Sequence, residues 1–182
     1  MSIITIDFEA SCLPRHGRSY PIEVGIAGIE AGAITSRSWL IRPHRDWQGW
    51  DWTARAQALH GLSREGIARD GVEAAQVLAE LRAAVEGHRL VADSLIDQYW
   101  LDTLAAAAGD GAALTIDHVS SVMEELRVGE MHIARAIDHA DAMVQTRHRA
   151  AEDARWLAAV IADLGGGLAS LTQSIPLFAL HN

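Results

Sequence analysis

The stretch SIITIDFEAS, residues 2–11, joins a run of apolar and hydroxyl side chains to a pair of carboxylates. Residues 2–7 are nearly continuous in Ile and Thr, which is typical of a central strand buried on both faces. Because successive side chains of a strand point to opposite faces, Asp7 and Glu9 share one face while Phe8 points to the other. The stretch therefore predicts a buried strand that carries two acids at its end.

The sequence after this strand predicts further strands, then alternating strands and helices, and finally helices alone. Extended runs cover residues 22–27, 34–41, 89–92 and 114–116, and helical patterns cover residues 53–59, 63–68, 74–85, 95–108, 119–126, 131–139 and 150–164. That order favours an α/β fold with a mixed sheet and helices on its faces. We expect residues 1–182 to form a single domain around one core, with a loosely held tail at 174–182.

Composition and charge argue against a membrane-spanning or secreted protein and against a protein that binds duplex nucleic acid broadly. No apolar run approaches the roughly 18 residues that a membrane span requires, and the first residues lack a secretion-signal pattern, so we expect no membrane contact and a cytoplasmic location. The single Cys12 cannot form an internal disulfide. All 15 basic residues are Arg, and the net charge of −9 argues against broad duplex binding, which needs many neutralised phosphates. Bound divalent ions would reverse the field at an acidic site, so the charge of the whole chain is a weak guide to what such a site binds.

Asp97 and Asp153 each interrupt the apolar side of a predicted helix. The apolar positions that share a side with Asp97 are Trp100, Leu101, Leu104 and Ala108, and those around Asp153 are Ala150, Ala154, Leu157, Val160, Ile161 and Leu164. An ionised carboxylate in such a place costs several kcal/mol unless it is paired or bound to a cation. Each acid therefore requires a compensating positive charge.

The compensating charge has two candidate sources. For a single acid, an arginine such as Arg149 or Arg155 would suffice. If the helices that carry Asp97 and Asp153 pack beside the first strand, however, four carboxylates converge, and their mutual repulsion favours divalent cations. Oxygen-only ligands favour Mg²⁺ or Mn²⁺ over zinc. The four acids thus predict a metal site.

His148 is the best placed of the nine histidines to act as a base beside these acids. It precedes Asp153 by five residues, so it falls at or just before the start of the helix and could reach the site from a loop. A histidine whose pKa lies near neutrality can accept a proton from water at working pH. An isolated histidine at such a position is more often a surface or capping residue, and that alternative stays open.

Three short motifs carry these acids and the histidine. They read Asp7-Phe8-Glu9-Ala10-Ser11, Asp97-Gln98-Tyr99-Trp100-Leu101 and His148-Arg149-Ala150-Ala151-Glu152-Asp153, the last in the form His-x-Ala-x-x-Asp. The segments Tyr20-Pro21-Ile22-Glu23-Val24-Gly25 and Leu59-His60-Gly61-Leu62-Ser63 extend the pattern. In this order and spacing, the motifs make nearly the whole chain resemble the DEDDh branch of the DnaQ-like exonucleases, a family that includes ribonuclease T.

The resemblance implies a metal-dependent 3′-to-5′ exonuclease with a ribonuclease H-like fold, a mixed five-stranded sheet whose second strand is antiparallel. Asp7, Glu9 and Asp153 would hold one Mg²⁺ or Mn²⁺ ion, Asp7 would bridge to a second ion, and Asp97 would support that ion partly through water. Two ions about 3.5 to 4 Å apart stabilise the attacking and leaving oxygens of an in-line displacement. With His148 as the base, the enzyme would release 5′-mononucleotides from the 3′ end of single-stranded DNA or RNA.

The resemblance also assigns substrate contacts and partners. The substrate-binding residues would be Phe8, Ala10, Ser11, Leu13 and His60. The backbone near Ala10 would contact the terminal 3′-hydroxyl and Leu13 would pack on the last base, contacts that tolerate any base. Relatives such as ribonuclease T are dimers, so the resemblance allows a homodimer. The alternative from another class is a catalytically inactive relative that binds nucleic acid or a protein through the same fold.

The second motif departs from the family pattern. Many relatives carry His-Asn ahead of its aspartate, where this chain has Asp93 and Ser94. Asp93 therefore competes with Asp97 for the motif position. The following Trp-Leu pair and the apolar-side position favour Asp97, because an aspartate at the end of a strand more often caps a turn.

Two groups of aromatic and basic residues have two interpretations each. Trp47, Trp50 and Trp52 lie with Arg42, His44 and Arg45 in one segment, a combination that stacks bases and holds phosphates but that equally fills a loop core or a subunit interface. The second group, Arg15, His16 and Arg18, would meet an incoming nucleic-acid backbone or lie in a solvated loop.

Overall fold

A five-stranded mixed sheet organises the part of the chain that the computed structural model describes, residues 2–111 and 114–165. The strands are β1 (Ile3–Ala10), β2 (Pro21–Glu30), β3 (Ala33–Leu40), β4 (Arg89–Ala92) and β5 (Ile116–His118), and their order in the sheet is β3-β2-β1-β4-β5. β2 runs antiparallel to β1 and β3, whereas β1, β4 and β5 are parallel. The predicted α/β fold and antiparallel second strand are confirmed.

Helices cover both faces of this sheet. They are α1 (Ala54–His60), α2 (Arg64–Asp70), α3 (Ala74–Val85), α4 (Ile96–Ala107), α5 (Val119–Leu126), α6 (Glu130–Met143) and α7 (Ala150–Leu164), with short 3₁₀ turns at Pro14–His16 and Arg45–Trp47. Side-chain oxygens cap two of the short helices: Thr53 accepts a hydrogen bond from Ala56 N–H, and Ser63 accepts one from Gly66 N–H. The bounds of α7 agree with the predicted helix, and α6 extends beyond the predicted 131–139 at both ends.

The two faces of β1 and β2 pack against different helices. Phe8, Val24 and Ile26 point into the main core, which α3 and α4 cover. The opposite face lies under α7, so even Glu23 on β2 is only 1% exposed. A Cβ atom at Gly25 would lie 2.1 Å from the carbonyl carbon of Ala150, so only glycine lets the start of α7 approach the sheet this closely.

The last strand lies two residues later than the predicted 114–116. Gln98 of α4 explains the shift, because its amide donates to the Leu114 carbonyl and its carbonyl accepts from the Ile116 N–H. Those backbone groups are therefore occupied before the pairing of β5 with β4 begins at Leu90 and Ile116. The predicted tail at 174–182 lies outside the described residues. None of the described helices has the length and apolarity that crossing a bilayer requires.

Candidate active site

The candidate site lies at the end of β1, where this strand runs past its neighbour. The last pair that β1 forms with β4 is Thr5 with Val91, so residues beyond Thr5 lack a strand partner on that side. Asp97, in the first turn of α4, takes this place: its carboxylate accepts a hydrogen bond from the Phe8 backbone. The free edge of β1 thus holds Asp97 beside Asp7 and Glu9, the two acids that β1 itself carries.

The predicted acids and histidine form two groups of close oxygen and nitrogen atoms. Glu9, His148 and Asp153 each offer a ligand atom within 4.8 Å of the others. Asp7, Asp93 and Asp97 form the second group by the same measure. Asp7 connects the two groups electrostatically, because the negative charges of Asp97, Asp153, Glu9 and Asp93 all act on it. The structure therefore brings together all five predicted residues and adds Asp93, the competing candidate for the second-motif position.

Burial and repulsion within these groups disfavour ionised carboxyl groups. Burial, followed by the charge of Asp97, raises the pKa of Asp7 well above its usual range. Burial and the charge of Asp153 raise the pKa of Glu9 to about 8, and burial and the charge of Asp93 raise the pKa of Asp97 to about 8. Perturbed acids that meet in one place are typical of functional sites.

Arginine neutralises one of the predicted acids. Arg147 forms an ion pair with Asp153, whose side chain is 12% exposed, whereas the sequence had offered Arg149 or Arg155 as its partner. Among the described residues, Asp7, Glu9 and Asp97 form no ion pair with an arginine. Three carboxylates therefore lack an ion pair with an arginine of the described chain, and of the three only Glu9 has a pKa that an arginine charge, that of Arg149, lowers.

Arg149 binds Glu23 instead, and this contact fixes the start of α7. Its Nε and Nη2 donate to the Glu23 carboxylate at 3.0 and 2.9 Å, and the Ala150 N–H donates to the same carboxylate at 3.2 Å. Ser38 Oγ donates to Glu23 at 2.8 Å from the other side. Glu23 was not among the predicted site residues; a carboxylate inside a strand that is apolar on both sides is the signal that could have identified it.

His148 occupies the predicted position in the loop directly before α7. Its φ of +65° is in the left-handed region, which non-glycine residues seldom adopt, and such conformations concentrate at functional sites. Its backbone N–H donates to Asp153 Oδ2 at 2.8 Å, and its side chain is exposed. The loop thus presents the imidazole to solvent beside Glu9 while it ties the backbone to Asp153.

The predicted substrate-binding residues differ in what they expose. Only Leu13, 37% exposed, presents a large side-chain surface. Phe8 is buried in the main core, so its side chain is unavailable for a substrate and its backbone holds Asp97 instead. Ala10 is 7% exposed, and Ser11 is fully buried with its Oγ accepting from Tyr20 N–H. His60 is also buried, with Nδ1 accepting from Leu62 N–H.

One buried atom provides a test of whether these residues suit a metal ion. Asp97 Oδ2 is inaccessible and has no hydrogen-bond partner among the described residues, although the Asp97 side chain lies against two other carboxylates. Such an oxygen is costly unless a cation satisfies it. The donor set around it consists of oxygens, which suits Mg²⁺ or Mn²⁺. The residues therefore fit a divalent ion.

Comparison with solved structures identifies exonucleases of the same architecture. The nuclease domain of 3′hExo, described as a DEDDh family member bound to rAMP, superposes with a TM-score of 0.67 at 16% identity, over 91% of this chain and 92% of that one. A 3′-exonuclease solved for its 3′-end specific recognition of a histone mRNA stem-loop gives 0.63 at 14% identity, over 91% and 82% of the two chains. E. coli Exonuclease I in complex with a dA16 oligonucleotide gives 0.62 at 10% identity, and this chain spans 40% of its length.

Sequence comparisons add nothing to this assignment. No family model and no curated protein matches the chain. At these identities the structural likeness establishes the architecture rather than the activity. The chain has the ribonuclease H-like fold of the DEDDh 3′-exonucleases.

Proposed function

We propose that this protein is a 3′-to-5′ exonuclease that uses two divalent ions, Mg²⁺ or Mn²⁺, to release 5′-mononucleotides from single-stranded nucleic acid. One observation carries the proposal: Asp7, Glu9 and Asp97 converge with Asp153 and His148, and the first three have no arginine partner in the described part of the chain. The structural neighbours bound to rAMP and to dA16 support the same class of substrate.

The two groups of carboxylates would each hold one divalent ion. Asp7, Glu9 and Asp153 would hold one ion, and Asp7 with Asp97 and Asp93 would hold the other. Bound divalent ions supply positive charge to the attacking and leaving oxygens of a phosphoryl transfer.

His148 would remove the proton from the attacking water. The water oxygen would bond to phosphorus as the bond from phosphorus to the 3′ oxygen of the preceding nucleotide breaks. That oxygen would leave with the bonding electron pair and take a proton from solvent to become the new 3′-hydroxyl. Leu13, exposed just beyond β1, would pack on the terminal base.

A gel assay tests this proposal. The protein is incubated with manganese and a single-stranded oligonucleotide labelled at its 5′ end, in parallel with Asp7→Ala, His148→Ala and the control His132→Ala, an exposed histidine on α6. We expect a ladder that shortens from the 3′ end, no ladder for Asp7→Ala, a rate at least about 100-fold lower for His148→Ala, and an unchanged rate for the control.

One contact favours a second candidate, a catalytically inactive module that binds nucleic acid. The Arg147–Asp153 ion pair neutralises a carboxylate that the exonuclease needs for its metal. An intact oligonucleotide that the protein retains in a gel shift, with or without manganese, would establish this second function and contradict the first.

A further inference from the structure

A groove of about 410 Å³ lies beside the loop that follows β3. We call it the aromatic groove and define it by six of its lining residues, Tyr20, His44, Arg45, Trp47, Trp50 and Arg64. Trp47 and Tyr20 are buried and stacked, with ring centroids 5.4 Å apart, so the base of the groove is part of the core. Trp50 is half-buried and forms an open wall.

The charge of the aromatic groove is opposite to that of the whole chain. The described residues that line it include Arg45, Arg64 and His44 and no acid, although the net charge of the protein is −9. A second groove shares Trp47 and Trp50 but contains Asp46 and Asp102. His44 and Arg45 each lie 3.6 Å from the Asp46 carboxylate, so among the described lining residues Arg64 carries the positive charge that no acid pairs. A polyanion would therefore bind at Arg64 rather than in the neighbouring groove with its two acids.

Arginines lie over the indole rings at the edge of this groove. The Arg18 guanidinium is 4.7 Å from the centroid of Trp50, and the Arg64 guanidinium is 5.3 Å from that of Trp52. Both arginine side chains are exposed, and neither forms an ion pair among the described residues. Arg64 also donates a hydrogen bond to the Tyr20 hydroxyl. Flat rings with cations beside them are the combination that stacks bases and holds phosphates of a single strand.

Ring contacts connect the aromatic groove to the candidate active site. The ring centroid of Trp52 lies 6.5 Å from that of Tyr20 and 5.7 Å from that of His60. The charges of Glu23 and of Arg149, at the start of α7, act on His60. Tyr20 is also bonded to Ser11, two residues beyond Glu9, through two hydrogen bonds. Direct contacts therefore join the groove to the end of β1 and to the start of α7.

We infer that the aromatic groove holds the segment of a single-stranded nucleic acid upstream of its 3′-terminal nucleotide, an inference that rests on the proposed exonuclease function. Arg64 and Arg18 hold phosphates, and Trp50 stacks on a base. The groove therefore makes the enzyme prefer longer strands to dinucleotides.

Binding and hydrolysis are measured separately to test this inference. Binding uses a fluorescein-labelled ten-nucleotide oligothymidylate in EDTA, followed by fluorescence anisotropy, because the groove contacts do not involve the metal. Arg64→Ala and Arg18→Ala change exposed side chains, and Arg69→Ala on the same helix as Arg64 is the matched control. We expect Kd to rise about tenfold for each test variant and less than about twofold for the control.

Hydrolysis with manganese separates the groove from the acids. For Arg64→Ala we expect kcat/KM on the ten-nucleotide strand to fall about tenfold, while the rate on a thymidine dinucleotide changes less than about twofold. Equal losses on both substrates overturn the inference, because they place the effect at the acids or in the fold. Unchanged binding in both test variants, or no binding by the wild-type protein, also overturns it.

The outcome for the proposed function is distinct. If the wild-type protein binds the ten-nucleotide strand through Arg64 but degrades neither substrate, the inference about the groove stands and the proposed exonuclease function fails. If the wild-type protein degrades both substrates at similar rates, the proposed exonuclease function stands and the inference about the groove fails.

Discussion

Replacing Asp97 by Asn should stabilise the metal-free protein while it abolishes activity. Asp97 is 2% exposed, and burial, followed by the charge of Asp93, raises its pKa from 3.8 to about 8. At pH 7 the unfolded chain carries the ionised acid and the folded chain resists ionisation, which limits stability by on the order of 4 kcal/mol. The asparagine keeps an acceptor for the Phe8 backbone and carries no charge, so we expect a gain of about 2 to 4 kcal/mol.

The pH dependence of this effect has a fixed sign. Because the folded-state pKa is raised, the penalty is absent below pH 4, grows as the pH rises, and is complete above pH 8. The metal-free wild-type protein should therefore gain stability on acidification from pH 8 towards pH 4, and Asp97→Asn should depend less on pH. Urea unfolding in EDTA at several pH values measures both curves.

Manganese should remove most of the stability difference between the two proteins. A ligand at 100 times its Kd stabilises the folded state by about 2.7 kcal/mol, and Asp97→Asn should lose most of that gain. Asp102→Asn, at an exposed position on the same helix, is the control and should follow the wild type. If Asp97→Asn is less stable than the wild type in EDTA and gains as much from manganese, Asp97 is a structural group and the metal argument fails.

Two further substitutions probe the supports of the site. Glu23→Gln should lower the free energy of unfolding in urea by about 2 to 3 kcal/mol and lower kcat, because Arg149 and the start of α7 lose the carboxylate that holds them. Adding Arg149→Ala to this variant should change the free energy of unfolding little further. If the losses from the two substitutions add fully, the two residues are not a coupled pair. Burial lowers the pKa of His60 from 6.5 to about 4, so the wild type should lose about 2 kcal/mol relative to His60→Gln between pH 7 and pH 5; parallel stability curves would show that His60 can be protonated without cost.

The sequence predicted the parts of the fold that repeat locally. The stripe of apolar residues around Asp153 gave the bounds of α7, and the Ile-Thr run gave the position of β1, although not its extension to Ala10. The start of β5 escaped prediction because Gln98, on the preceding helix α4, decides where its pairing begins. Residues that act through a partner far along the chain leave little local signal.

The same reason explains which site residues the sequence found. Asp97 was conspicuous because its own helix is apolar around it. Glu23 is a carboxylate within an apolar strand, but its partner Arg149 lies more than a hundred residues away, so the sequence did not indicate which charge it binds. Trp47 is buried whereas Trp50 and Trp52 are half-buried, so the indole cluster divides into core and groove in a way that composition could not indicate.

The charge of the converging side chains agrees with the two divalent ions of the proposed mechanism. The carboxylates that converge are Asp7, Glu9, Asp93, Asp97 and Asp153, and Arg147 neutralises one of them. Arg149 also acts on Glu9 through its charge, but Glu23 holds it through two hydrogen bonds, so the Glu23–Arg149 pair adds no net charge. Four negative charges remain, which two divalent ions would balance, whereas the acids predicted from the motifs alone would leave three. We infer that Asp93, placed by the end of β4 rather than by a motif, completes the charge that the pair of ions requires.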